Sequence, residues 1–165
     1  MRMWQKMLGV VVVSGLGLVV GCDSSDGDGG TAEGAHFLIG TWSGTWEDTR
    51  FSVSGPVDIT ITQDGAGLAA VGSVGLMPFG LLSQNLTGSA TIDGEVVTFS
   101  MTSESIGAIT GTVSGSSISG SGESTGVLSF GPVTYTGSAN GSTISVDFEF
   151  TRSGAGRGTV TLTKP

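Results

Sequence analysis

The chain has 165 residues, room for one ordinary domain, and its formal charge of −8 argues against a nucleic-acid binder, whose affinity rests on clustered Lys and Arg. Glycine is abundant at 30 residues, but with only 4 prolines the two together stay below the ~25–30% share of a disordered chain, so the chain is expected to fold. One cysteine and one histidine exclude an intramolecular disulfide framework and a Cys/His zinc site, and no metal or cofactor is expected.

Residues 1–21 read as a signal peptide, with Arg2 and Lys6 at a positive start, an apolar run, and small residues before Cys22. The run, roughly 14 residues, falls short of the ~20 that a spanning helix needs. Its end, Val19-Val20-Gly21-Cys22, resembles the lipobox of bacterial lipoproteins, and the chain's one cysteine stands where that motif requires it. The resemblance implies cleavage between Gly21 and Cys22, a diacylglycerol on the Cys22 thiol, and acylation of the new amino group. Two or more acyl chains hold a protein stably at a bilayer where one does not. The expected location is the bacterial cell envelope, with the membrane as partner through Cys22. The outer membrane is favoured, although Asp23 resembles the inner-membrane retention signal of enteric bacteria and leaves that choice open.

Residues 22–35 carry no large apolar side chain and read as a flexible acidic tether. A calcium loop opening at Asp26 fails, because Gly30 and Phe37 fall where an EF-hand needs a ligand and a bidentate Glu.

Residues 36–165 read as the folded domain. Apolar or glycine positions alternate with Thr and Ser, punctuated by turn signals, the pattern of an all-β sandwich or barrel. Turns centred on Asp64-Gly65, Asp93-Gly94, Ser114-Gly115 and Asn140-Gly141 place the apolar sets of neighbouring segments on one face, so an antiparallel up-and-down meander is expected. A weaker turn at Glu47-Asp48 would set Trp42 opposite Val53. The chain repeats at about 50 residues: Gly75-Leu76-Met77-Pro78-Phe79-Gly80 matches Gly126-Val127-Leu128-Ser129-Phe130-Gly131, and Thr87-Gly88-Ser89-Ala90 matches Thr136-Gly137-Ser138-Ala139. Segments 49–54 and 57–63, if joined through Gly55-Pro56, bring the count to an even ten, and about eight to ten strands closed into a barrel are expected.

Gly40-Thr41-Trp42, on what should be the first strand, is similar to the Gly-X-Trp opening of lipocalins and related barrels, which carry apolar ligands in the barrel mouth. In that family the Trp packs under an Arg from the last strands. The parity of Phe148 and Phe150 puts Arg152 on the inward face, so the expected closing pair is Trp42 with Arg152.

Catalytic signals are weak, and no enzyme is expected. His36 has no oriented nucleophile beside it in the sequence. Glu47 and Asp48 read as a solvated turn, and Asp147 with Glu149 as a polar strand face. Gly154-Ala155-Gly156-Arg157-Gly158 precedes no helix and reads as a three-residue hairpin, not a phosphate cradle. A porin-type barrel needs a lipid-facing apolar band, whereas the outward positions here are Thr, Ser, Asp and Glu. Two readings remain. In the first, small inward residues leave room for an apolar ligand, with Trp42, Trp46 and Tyr135 at the pocket. In the second, Phe51, Phe99, Phe148 and Phe150 fill the barrel, and its loops serve a protein partner in the envelope, as an enzyme inhibitor or adhesin would.

Overall fold

The computed structural model describes residues 33–76, 81–104, 106–125, 130–152 and 156–165. The expected signal peptide, the lipobox-like run and most of the expected tether lie outside the described residues, as do Met77-Pro78-Phe79 and most of its repeat.

Ten strands follow a short 3-10 helix, Glu33–Leu38: β1 Gly40–Asp48, β2 Val53–Asp64, β3 Gly67–Leu76, β4 Leu81–Asp93, β5 Val96–Ser103, β6 Gly107–Ser114, β7 Ser117–Ser124, β8 Gly131–Ala139, β9 Thr143–Phe150 and β10 Arg157–Thr163. Each pairs antiparallel with the next, and β10 returns to β1, closing an up-and-down barrel. Strand β2 runs unbroken through Gly55-Pro56, which settles the count at ten. The Thr-Gly-Ser-Ala repeat maps β4 onto β8, four strands further on.

The hairpins correct the expected registers by a consistent amount. The turn centres are Gly65-Ala66, Gly94-Glu95, Gly115-Ser116 and Gly141-Ser142, each one residue later than expected, as the pairs Asp64↔Gly67, Asp93↔Val96, Ser114↔Ser117 and Ala139↔Ile144 show. Gly65, Gly94 and Gly115 take φ of 59°, 59° and 55°, and Ala66, Glu95 and Ser116, which directly follow them, do not have positive φ. These are type II′ turns, with glycine first of the central pair. In the fourth turn the Asn140 side chain accepts the N–H groups of Ser142 (2.9 Å) and Thr143 (2.8 Å). Moving a turn centre by one residue shifts each cross-strand partner by two, so every side chain keeps its face. The inward set survived while its partners changed: Ala90 faces Phe99 and Tyr135 faces Phe148.

Two loops depart further. Asp48 pairs with Val53, so residues 49–52 form a four-residue loop and Trp42 lies opposite Ile59 rather than Val53. Phe51 rides on that loop and is 46% exposed, so it does not fill the barrel. After β9, Phe150 N–H reaches Gly156 O (3.0 Å) and Val146 faces Val160, which replaces the expected three-residue hairpin with a longer loop.

The outward face carries exposed Asp58, Thr98, Ser100, Ser145, Asp147 and Glu149. Among the described residues, no helix is long and apolar enough to cross a membrane.

An apolar cavity as the candidate functional site

One end of the barrel is sealed. It carries the tight hairpins, the end of β10 and the 3-10 helix, whose Ala35 and Leu38 are buried in the core. This helix spans position 36, where the folded domain was expected to begin, and Ala35 just before it is packed in the core. His36 itself is exposed. Trp42, wholly buried, donates its indole N–H to Leu38 O (2.8 Å), taking up a carbonyl at the helix end. Lys164 places Nζ 4.7 Å from the centre of the Trp42 ring and donates to Phe37 O (2.8 Å) and Ile39 O (2.7 Å).

The cation over Trp42 is thus Lys164 and not Arg152, which corrects the expected closing pair. In an antiparallel closure the start of β1 meets the end of β10, where Lys164 stands. Arg152 follows β9 at the opposite end, exposed and beside Gly131.

Above this floor the barrel encloses a cavity of about 370 Å³, running from Leu38 to Phe51, Ile106 and Phe130 in the loops of the other end. That volume falls within the ~300–1,000 Å³ of small-molecule sites. Its walls are the inward aliphatic and aromatic side chains, such as Ile59, Leu86, Met101, Ile109, Val146 and Phe148. Phe148 packs edge-on against Phe150 at 5.8 Å, and Phe150 against Phe130 at 5.2 Å, so these rings gather at that end of the cavity, its mouth.

Of the three expected pocket residues, Trp46 and Tyr135 line the cavity and Trp42 does not. Trp42 is consumed by the floor, where its whole ring is packed. Trp46 and Tyr135 share one construction. Trp46 on β1 lies over its cross-strand partner Gly55 on β2 and donates to Gly75 O on β3 (2.7 Å). Tyr135 on β8 lies over its partner Gly120 on β7 and donates to Thr110 O on β6 (2.7 Å). A Cβ at Gly55 would meet the Trp46 indole nitrogen at 2.6 Å, and one at Gly120 would overlap the Tyr135 ring and hydroxyl. Glycine here admits a flat aromatic ring, and the polar tip of each ring is satisfied as burial requires. Burial pushes the Tyr135 hydroxyl up from 10.0 to about 12.

Asp48 was missed as a site residue, because adjacent acids at a turn read as solvated. It is only 6% exposed, lines the cavity, and is the one charged residue among the described lining residues. Its Oδ1 accepts the N–H groups of Arg50 (2.9 Å) and Phe51 (3.0 Å), which orders the loop at the mouth. The signal was parity: residues 42, 44, 46 and 48 alternate along one strand, so Asp48 shares the inward face of the two tryptophans.

Asp147 and Glu149 lie exposed on the outer face, where Glu149 is the cross-strand partner of Arg157. Among the described residues, no three His, Cys, Asp or Glu side chains come together as a metal site would need.

These features define a closed ten-stranded antiparallel barrel with an apolar lumen, floored at one end and reaching loops at the other. No protein-family model and no curated protein matches the sequence. Among solved structures, the fold is similar to the crystal structure of Rv2717c from M. tuberculosis, with a TM-score of 0.57 and 14% sequence identity over 82% of this chain and 99% of that one. At that identity the likeness establishes the fold alone.

Proposed function

We propose that the protein holds a small apolar molecule inside its barrel while anchored to the bacterial cell envelope through lipid on Cys22. The observation that carries the reading is the apolar cavity of about 370 Å³ with a single charged residue in its described lining. Apolar walls favour an apolar guest by removing its surface from water, at about 25 cal/mol per Å². The reading is of a binder rather than an enzyme.

The anchor rests on the lipobox-like Val19-Val20-Gly21-Cys22, followed by the acidic tether. Geometry adds one supporting point: the described residues begin with the 3-10 helix at the floor, the end opposite the mouth. Anchoring and ligand exchange then use different ends of the molecule.

Native mass spectrometry of the whole protein, purified from its own envelope in mild detergent, tests the binding reading. The expected result is a bound small molecule released on unfolding. A barrel that is always recovered empty, and takes up no apolar compound afterwards, contradicts the reading and leaves the loops as the site of an interaction module.

A further inference from the structure

We propose that the cavity selects amphiphiles whose polar end donates hydrogen bonds, an amine or a hydroxyl, over those ending in a carboxylate, and that Asp48 seats that end. This rests on reading the cavity as a binding site and goes further by naming the class of ligand.

The charges around the lumen carry the argument. Asp48 sits at the mouth end of the cavity, almost fully buried. Two backbone N–H groups hold its Oδ1 in place. Across from it, Gly156 offers no side chain, and a Cβ there would run into Oδ2, so the residue just before β10 leaves this carboxylate its space. A carboxylate can only accept hydrogen bonds, so it rewards a donor and repels another anion.

No Lys, Arg or His stands among the described lining residues to receive an anionic head group. Of the nearby cations, Arg50 is exposed and lies over the Phe51 ring at 6.0 Å, Arg152 and Arg157 are exposed, and Lys164 is engaged at the floor.

A second polar feature lies at the same end, on the far wall. Ser124, the last residue of β7, is buried and lines the cavity at that level, where its Oγ accepts the Phe130 N–H at 3.5 Å. Ser103, the last residue of β5, is buried at the same end with no hydrogen-bond partner for its Oγ, but it is not among the lining residues. Below this level the walls are aliphatic and aromatic apart from Ser89, down to Leu38. The polar end of an amphiphile therefore belongs at the mouth and its chain in the lumen.

The test uses the whole protein stripped of bound lipid and loaded with the uncharged fluorophore N-phenylnaphthylamine. Decylamine, decanol and decanoate are then compared as displacing agents at neutral pH, below their micellar concentrations. The expected order is amine, then alcohol, then carboxylate, with at least about a tenfold gap between the first and the last. In Asp48→Asn, which keeps an acceptor for Arg50 N–H and Phe51 N–H, the gap between amine and carboxylate, each measured against that variant's own fluorophore affinity, should collapse. Decanoate displacing as well as decylamine from the wild-type protein would overturn the inference, and so would a gap that survives in Asp48→Asn. Should Asp48→Asn fail to take up the fluorophore, the wild-type order alone decides. No uptake by the wild-type protein overturns the binding reading itself, and this inference with it.

Discussion

Lys164 and Trp42 form the contact that seals the barrel, an ammonium 4.7 Å from the centre of a fully buried indole and bonded to two carbonyls beside the 3-10 helix. The pair joins the end of the chain to the first strand, so it ties closure of the sheet to closure of the floor. A cation over an indole contributes ~0.5–2 kcal/mol depending on how dry the site is. Lys164→Met is expected to destabilise the fold by about 1–3 kcal/mol, since the two charge-assisted hydrogen bonds are lost as well. Trp42→Ala should cost about 3–5 kcal/mol, as for an aromatic removed from a core. In urea-unfolding cycles, Lys164→Met with Trp42→Phe should show coupling of ~0.5–2 kcal/mol, and Arg152→Met with Trp42→Phe a coupling near zero. The reverse pattern would mean that the ends of β1 and β10 do not meet as described.

Tyr135 is the chain's one tyrosine, so its ionisation can be followed without deconvolution by ultraviolet absorbance. The folded protein should titrate near 12 rather than 10. A phenol whose folded value is raised holds its proton more tightly in the fold. Its stabilisation is complete below the unfolded value, near pH 10, and is lost as pH rises through the folded value, near pH 12. The loss should reach up to about 2–3 kcal/mol. Tyr135→Phe should abolish this alkaline dependence and cost ~1 kcal/mol at neutral pH through loss of the bond to Thr110 O. A midpoint at the ordinary value in the folded protein would place the hydroxyl in water.

The aromatic-over-glycine construction makes a matched pair of substitutions informative. Gly120→Ala pushes a methyl group into the Tyr135 ring and the Thr110 carbonyl, and should destabilise by at least about 2 kcal/mol. Gly141→Ala, in a turn where a Cβ meets nothing within 4 Å, should fall within ~0.5 kcal/mol of wild type. Chemical-denaturation midpoints measure both, and equal effects would show that Tyr135 does not lie across β7.

Alternation made the barrel legible, because strand parity is set by which residues are apolar and tolerates any even error in pairing. That is why four hairpins moved by one turn position and still presented the same inward face. Loop length is not encoded in that alternation. The loops after Asp48 and Phe150 are longer than tight turns, and the arrangement of Phe51 and Arg152 follows from their lengths rather than from strand pattern. Lys164 was overlooked for a topological reason: antiparallel closure pairs the first strand's start with the chain's end, and Arg152 lies at the other. Asp48 was hidden by residue type. Its neighbour Glu47 and its place near a turn suggest solvent, whereas its parity with Trp46 places it inside.

The proposed lipid anchor is tested apart from the barrel. Cys22→Ser should move the protein from the membrane to the soluble envelope fraction and abolish incorporation of labelled fatty acid. Retention of the variant in membranes would end the lipoprotein reading while leaving the barrel untouched.

The central claim is that the lumen is a binding site, and the most direct measurement is uptake of an uncharged fluorophore by the whole protein and by a variant whose lumen is filled. Ala70 lines the cavity on β3, between Ile61 and Gly88 on the flanking strands. Ala70→Phe projects a ring into open space there. The account predicts saturable, one-to-one fluorescence enhancement with the wild-type protein and at least about tenfold weaker binding to Ala70→Phe, with unfolding midpoints that do not explain the loss. Equal binding by the two proteins would place the fluorophore on the outer surface and contradict the account.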